Sequence, residues 1–184
     1  MSLHKLLNRR TASLALTATL LLGVTGCFRP VYGPTASGAP VETVLAAIDV
    51  GAISVSPARQ EFGHTLRSEL VFALDGSGTN STAKRYLLTA TVTDRLQNPL
   101  VSSATGRAAT GTIIATARWQ VVEIASGETV LSGSANGAAS YDRTIQRLAS
   151  LRAQRDAEMR LAKLLSEQIT GRIAIDIHAA RRAL

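Results

Sequence analysis

The spacing of apolar residues changes several times along the chain, and each change marks a new element. Between Ala46 and Val55, Ile48 and Val50, then Ile53 and Val55, fall two apart with small residues between them. That is the period of a strand. Ser56-Pro57 follows, a helix start with Ser as N-cap and Pro at the first helical position. Phe62, Leu66, Leu70 and Leu74 then recur every four residues, with Arg59, Glu61, Arg67 and Glu69 left for the wet side. Asp75-Gly76-Ser77-Gly78 ends this helix, and polar residues continue as a loop to Ala83.

Tyr86, Leu88, Ala90 and Val92 alternate with Leu87, Thr89, Thr91 and Thr93, a strand by pattern and by composition. Asn98-Pro99 opens a polar, small-residue crossing. Beyond it Ile113, Ala115, Ala117, Trp119 and Val121 alternate against Thr116, Arg118 and Gln120. Ala125-Ser126-Gly127-Glu128 then reads as a short hairpin connection into a weaker strand over Thr129 to Ala139. Its Ser, Gly, Ala and Asn content offers little to bury, which predicts an edge strand or a surface that another protein approaches closely.

From about Leu148 the period returns to that of a helix. Leu161, Leu165, Ile169, Ile173 and Ile177 stand four apart, while Arg152, Arg155, Arg160 and Lys163 interleave with Asp156, Glu158 and Glu167. Where this helix ends is open in the sequence: Gly171 could stop it, and Ile173-Ala174-Ile175-Asp176-Ile177 could alternate as a strand. The order is β-α-β-β-β-α. It predicts an α+β fold, a four-stranded antiparallel sheet with two helices packed on one face.

The first 26 residues follow none of these periods. Lys5, Arg9 and Arg10 give a basic start with no acid, and Thr11 to Val24 is an apolar and small-residue run. The run is too short for a membrane-spanning helix, which needs roughly 20 residues; with its basic head it reads as a secretory signal peptide. Val24-Thr25-Gly26-Cys27 resembles the bacterial lipobox, and Cys27 is the only cysteine. A thiol is the strong side-chain nucleophile that can accept a diacylglyceryl group, and small residues before it let the backbone enter a peptidase cleft. Residues 1–26 are thus expected to be a lipoprotein signal peptide, 27–45 the lipidated N-terminus and tether, and 46–184 one α+β domain. Acyl chains on Cys27 would hold the protein on a membrane, since each buried CH₂ contributes roughly 0.8 kcal/mol. Phe28 rather than Asp follows Cys27, which by the bacterial sorting pattern favours the outer membrane.

Charge and candidate chemistry narrow the function classes. The chain carries a formal +7, and Lys5, Arg9 and Arg10 account for three of these charges, leaving +4 on the rest. A mild excess whose bases alternate with acids does not form the dense stripe of a nucleic-acid binder. The histidines, His4, His64 and His178, have no metal-ligand spacing, and no free thiol remains once Cys27 is acylated. There is no G-x-S-x-G elbow and no P-loop. Asp156 and Glu158 stand beside arginines on a helix, where a solvated charged face is the simpler reading than acid/base chemistry. The expectation is a protein that is not an enzyme and uses no cofactor or metal.

Two stretches carry a family resemblance. Cys27-Phe28-Arg29-Pro30-Val31-Tyr32-Gly33 resembles the opening of lipopolysaccharide-assembly lipoproteins of the LptE type, without the Gly that usually follows the Cys. Tyr141 and the run Leu148-Ala149-Ser150-Leu151-Arg152-Ala153-Gln154-Arg155-Asp156-Ala157-Glu158-Met159-Arg160 are similar to that family's long-helix signature. The resemblance implies a non-catalytic outer-membrane lipoprotein. Its partner would be a large LptD-like β-barrel that delivers lipopolysaccharide to the outer leaflet, a barrel it helps to assemble and plugs. Lipopolysaccharide is acidic, so arginines on or beside the predicted strands are candidates to contact it: Arg95, Arg107 and Arg118, for each of which an ordinary solubilising surface charge is the simpler reading. The competing readings are an auxiliary lipoprotein of another lipid-transport system and a periplasmic lipoprotein hydrolase.

Overall fold

A computed structural model describes residues 41–76, 83–98 and 109–180. The expected signal peptide, Cys27 and Arg107 lie outside the described residues. The described chain forms α1 (Val41–Ala46), β1 (Ile48–Ser54), a single 3₁₀ turn (Pro57–Arg59), α2 (Gln60–Asp75), β2 (Tyr86–Gln97), β3 (Thr110–Glu123), β4 (Thr129–Asp142) and α3 (Arg147–Ala180). The strands stand in the sheet in the order β1-β2-β3-β4.

The sheet is mixed, not antiparallel throughout as the sequence suggested. β2 pairs antiparallel with β3, and β3 with β4, but β1 runs parallel to β2. The reason is the connection. β2 and β3 are successive in the sheet and reverse direction, and β3 and β4 are joined by a tight turn. β1 and β2 are joined through α2, and a helix lying along the sheet brings the chain back to the end at which β1 began. In the β3–β4 turn, Gly127 sits at φ 73° and its N–H donates to the Glu123 carbonyl at 2.8 Å.

α1 is an element the sequence did not announce. It falls within the stretch expected to be tether, yet Val41 and Leu45 are buried in the core. The 3₁₀ turn begins at Pro57 after Ser56, whose side chain makes no capping bond, and α2 follows it directly. α2 ends as expected: Gly76 at φ 66° donates its N–H to the Phe72 carbonyl at 2.9 Å. Its Phe62, Leu66, Leu70 and Leu74 all face the core, as does the alternating set of Leu88, Ala90, Val92, Ile113, Ala115, Ala117, Trp119 and Val121.

α3 resolves the ambiguity at Gly171 in favour of one continuous helix. Ile169, Ile173 and Ile177 continue the four-residue stripe past Gly171 into the same core, so packing outweighs the roughly 1 kcal/mol that glycine costs within a helix.

The small residues of β4 are explained by what lies on its helix side. A Cβ on Gly137 would stand 2.8 Å from Leu161 Cδ1 and 3.0 Å from Leu164 Cδ2, so the close neighbour is the chain's own α3. Two other glycines face rings across the β3–β4 ladder. Gly133 is paired with Trp119 and Gly111 with Tyr141, and a Cβ on either would come within 2.7 Å of the ring opposite. Both rings fold over the backbone of the glycine and remain buried. Side chains from the helices also satisfy both sheet edges. Arg67 of α2 donates to the Val50 carbonyl at 2.8 Å, and from α3 Arg160 reaches the Ser140 carbonyl at 3.1 Å. Gln168 Oε1 accepts the Asn136 N–H at 3.2 Å. Edge strands left bare invite pairing with other chains, and these contacts blunt both edges.

Candidate functional site: the open face of the sheet

With α2 and α3 on one side, alternate residues of every strand point to the other. The ladder registers place these in cross-strand rows: Leu87 with Val122, Thr89 with Gln120 and Ser132, Thr91 with Arg118 and Ser134, Thr93 with Thr116 and Asn136, Arg95 with Ile114 and Ala138, and Gln97 with Thr112 and Ser140. Threonine fits a strand because its β-branch suits the pleated backbone, so this face keeps strand propensity without becoming apolar. The hydroxyls bond along the rows: Thr112 Oγ1 with Ser140 Oγ at 2.9 Å, and Thr116 Oγ1 donating to Asn136 Oδ1 at 2.8 Å. These bonds hold the side chains in place and leave a largely polar surface.

Arg118 stands near the centre of that surface, exposed, beside a shallow depression of about 230 Å³ lined by Thr89, Thr91, Gln120 and Ser132. Arg95 is on the same face and also exposed. Its register partner is Ile114, four residues along β3 from Arg118. At roughly 3.4 Å per residue and 4.8 Å between strands, the two backbones lie about 14 Å apart. The fold therefore brings two of the three candidate arginines onto one face without clustering them. One ligand meets both only if its acidic groups are comparably spaced, or if it lies flat across the rows.

The histidines are not brought together. His64 is on α2, exposed beside a groove against β1, and His178 is near the end of α3. Among the described residues no group of three or more His, Cys, Asp or Glu is placed to hold a metal.

One constellation was missed from the sequence. Arg59, at the end of the 3₁₀ turn, donates through Nε to Asp94 Oδ2 at 3.0 Å and through Nη1 to Glu158. Glu158 also accepts from Gln154 Nε2 at 2.9 Å. The three charged side chains are each less than one-fifth exposed. Glu158 thus leaves the solvated face assigned to it and ties β2, α2's approach and α3 together, whereas Asp156 pairs at the surface with Arg160 at 2.9 Å. Nothing in the spacing of residues 59, 94 and 158 reveals the triad, since the partners come from three separate elements.

A mixed sheet with one helix-covered and one bare polar face defines a class of small α+β domains that keep a sheet surface free for something else to meet. Within that class the chain belongs to the LptE family, described as lipopolysaccharide-assembly, whose model matches residues 45–173. No curated protein sequence matches the chain. Among solved structures, a protein from Caulobacter crescentus described as a lipoprotein is 22% identical with a TM-score of 0.58, covering 73% of this chain and 93% of that one. At that identity the likeness shows the fold. A minor lipoprotein from Acinetobacter baumannii is 19% identical with a TM-score of 0.48, over 71% of this chain and 92% of that one. Rare lipoprotein B from Shewanella oneidensis is 16% identical with a TM-score of 0.38, over 73% and 97%.

Proposed function

We propose that this protein is an outer-membrane lipoprotein, anchored through lipid on Cys27, that partners and plugs a lipopolysaccharide-translocating β-barrel of the LptD type. In that role it supports the barrel's assembly and the delivery of lipopolysaccharide to the outer leaflet, and it catalyses nothing. The observation that carries the reading is the match to the lipopolysaccharide-assembly family over residues 45–173. The bare sheet face supports it physically: the lumen of a large barrel is polar and wet, and a surface made mostly of hydroxyls and amides can sit against it while stripping water from few charges.

Co-purification from detergent-solubilised outer membrane tests the partnership. A large β-barrel should accompany the protein, and recovery with an inner-membrane transporter instead would refute it. Depletion should lower barrel levels and surface lipopolysaccharide together. For the anchor, Cys27→Ala should abolish incorporation of labelled palmitate.

For the ligand contact, Arg95, Arg107 and Arg118 are assigned to bind the acidic groups of lipopolysaccharide by charge-assisted bonds. Replacing all three with Ala should weaken binding of lipopolysaccharide to the soluble chain while leaving its melting temperature in place. Unchanged binding would remove the site assignment and leave the barrel partnership standing.

A further inference from the structure

The end of the domain opposite the β3–β4 turn carries apolar side chains that the core does not use. Ile145 is 87% exposed, Leu148 62% and Leu151 47%. They lie in the β4–α3 turn and the first turns of α3, and residues 143–155 hold Arg143, Arg147, Arg152 and Arg155 with no acid among them.

This tip is firmly built. The Thr144 N–H donates to Ser150 Oγ at 2.9 Å, and Ser150 Oγ donates back to the Thr144 carbonyl at 3.0 Å. Thr144 Oγ1 bonds the Gln146 carbonyl at 3.2 Å, and that carbonyl also takes the Ser150 N–H at 3.1 Å. The turn is clamped to the helix it precedes, so Ile145 is presented outward and has no route inward. Along α3, Leu148, Arg152, Arg155 and Met159 follow the i, i+4, i+7, i+11 spacing of one stripe. Ala157 and Leu161 are buried on the opposite side, and Met159 is 54% exposed. The stripe faces away from the sheet.

We propose that this tip and stripe dock on an anionic phospholipid surface. The chemistry selects that partner. Exposed aliphatic side chains set among arginines match a lipid interface, which yields around them and carries phosphate at the same depth. Arginine buries its stem at the headgroup boundary and sets its guanidinium against phosphate. The nearest acids do not cancel the charge. Asp156 is paired with Arg160, and Glu158 with Arg59. Glu61 stands 3.6 Å from Arg155 with both exposed, and Asp142 precedes the turn. Arg147 and Arg152 have no acidic partner within the salt-bridge distance among the described residues. No helix among the described residues is long and apolar enough to cross a membrane.

The test needs the chain without its lipid. Among the described residues every core side chain lies between Val41 and Ile177, so a chain of residues 28–184 holds all of that core. Its co-sedimentation is measured with phosphatidylcholine vesicles, with and without phosphatidylglycerol, at low and high salt. The chain should bind the anionic vesicles and lose them in high salt. Ile145→Ser with Leu148→Ser and Leu151→Ser should lower the partition at least about tenfold. Arg147→Gln with Arg152→Gln should lower it about 25-fold, roughly fivefold per arginine. Melting should be unchanged in both variants, because every replaced side chain is exposed. No binding to anionic vesicles overturns the proposal. So does binding that both variants retain, or that zwitterionic vesicles match. Capture of a barrel protein by the tip with vesicles ignored overturns it in favour of a protein partner. The co-purification under Proposed function is independent of each of these outcomes.

Discussion

Leu165 is where α3's apolar stripe meets the sheet, and its removal measures how much of the fold the helix supplies. The side chain is fully buried, and its Cδ2 lies 3.6 Å from where a Cβ on Gly137 would stand. Leu→Ala substitutions in cores cost about 2–5 kcal/mol, more where the surroundings cannot collapse into the gap. Here the facing residue is a glycine, with no side chain to lean in, and Leu161 and Ile169 are fixed one turn away on the same helix. The loss should therefore sit in the upper half of that range, about 3–5 kcal/mol. Set against a stability of about 5–15 kcal/mol, that is a large fraction. For a domain of this size it corresponds to a fall of roughly 6–20 °C in melting temperature. Thermal and urea unfolding of residues 28–184, followed by far-ultraviolet circular dichroism, reads both quantities. The slope against urea should not change, since the unfolded surface is nearly the same. Met159→Ala, on the outer stripe, is the internal control and should cost less than about 1 kcal/mol. Equal losses for the two variants, or a shift of under two degrees for Leu165→Ala, would refute the assignment of α3's buried face. Leu165→Asp should be worse still, because an unpaired carboxylate in that position costs several kcal/mol more.

Arg59→Ala should destabilise the domain by about 2–3 kcal/mol, somewhat below the full penalty for breaking a buried pair because the site is slightly open, and adding Glu158→Gln should recover part of it; urea unfolding of the single and double variants decides, and additive losses would mean no coupling. Gly171→Ala should stabilise by about 0.5–1 kcal/mol, since nothing lies within 4 Å of the added Cβ and the helix gains propensity; a lower melting temperature would contradict it. Gly133→Ala should cost about 1–3 kcal/mol by driving a methyl into the Trp119 ring, 2.6 Å from its Cζ2. Trp119 is the only tryptophan, so its emission should shift in the folded state, and an unmoved spectrum at unchanged stability would show that the ring does not cover the glycine.

What the sequence disclosed and what it hid divide along a physical line. Period reports which residues share a face, so the stripes of α2 and α3 and the alternation of β2 and β3 were legible and reappear in the core. The direction of β1 was not legible from its own residues, because parallel and antiparallel strands present the same alternation. It was implicit in the helix that follows it. α1 is six residues with three of them buried, too short to establish a period beside a Pro- and Gly-rich stretch. β4 looked weak because its buried face is made of glycine and alanine, and only the rings and leucines of other elements show why. The Arg59 triad depends on partners 35 and 99 residues away in the chain, and no local pattern encodes such distances. Of the candidate arginines, the alternation of β2 and β3 sufficed to put Arg95 and Arg118 on the wet face, but their separation needed the register between strands.

The composition of the wet face bears on function because a solvent-facing sheet is ordinarily protected by charge. Lysine and glutamate on such a face keep it soluble and repel other strands. In the cross-strand rows from Leu87 to Gln97, on β2, β3 and β4, Arg95 and Arg118 are the only charged side chains. Hydroxyls, amides, Ala138 and a few half-buried aliphatics make up the rest. A surface of this kind costs little to bring against another polar wall, since few charges must be stripped of water, and its hydroxyls can exchange water for the partner's hydrogen bonds. A face built only to meet solvent would gain nothing from that economy. Those two arginines and, on β1 in register with Leu87, the exposed Asp49 are then the costly residues, and each needs an opposite charge facing it if the face is covered. A charge reversal distinguishes the cases. Arg118→Glu should leave the free domain's stability nearly unchanged, because the side chain is exposed, while sharply reducing recovery of the proposed barrel partner. Normal recovery with the reversed charge would show that this face stays in water.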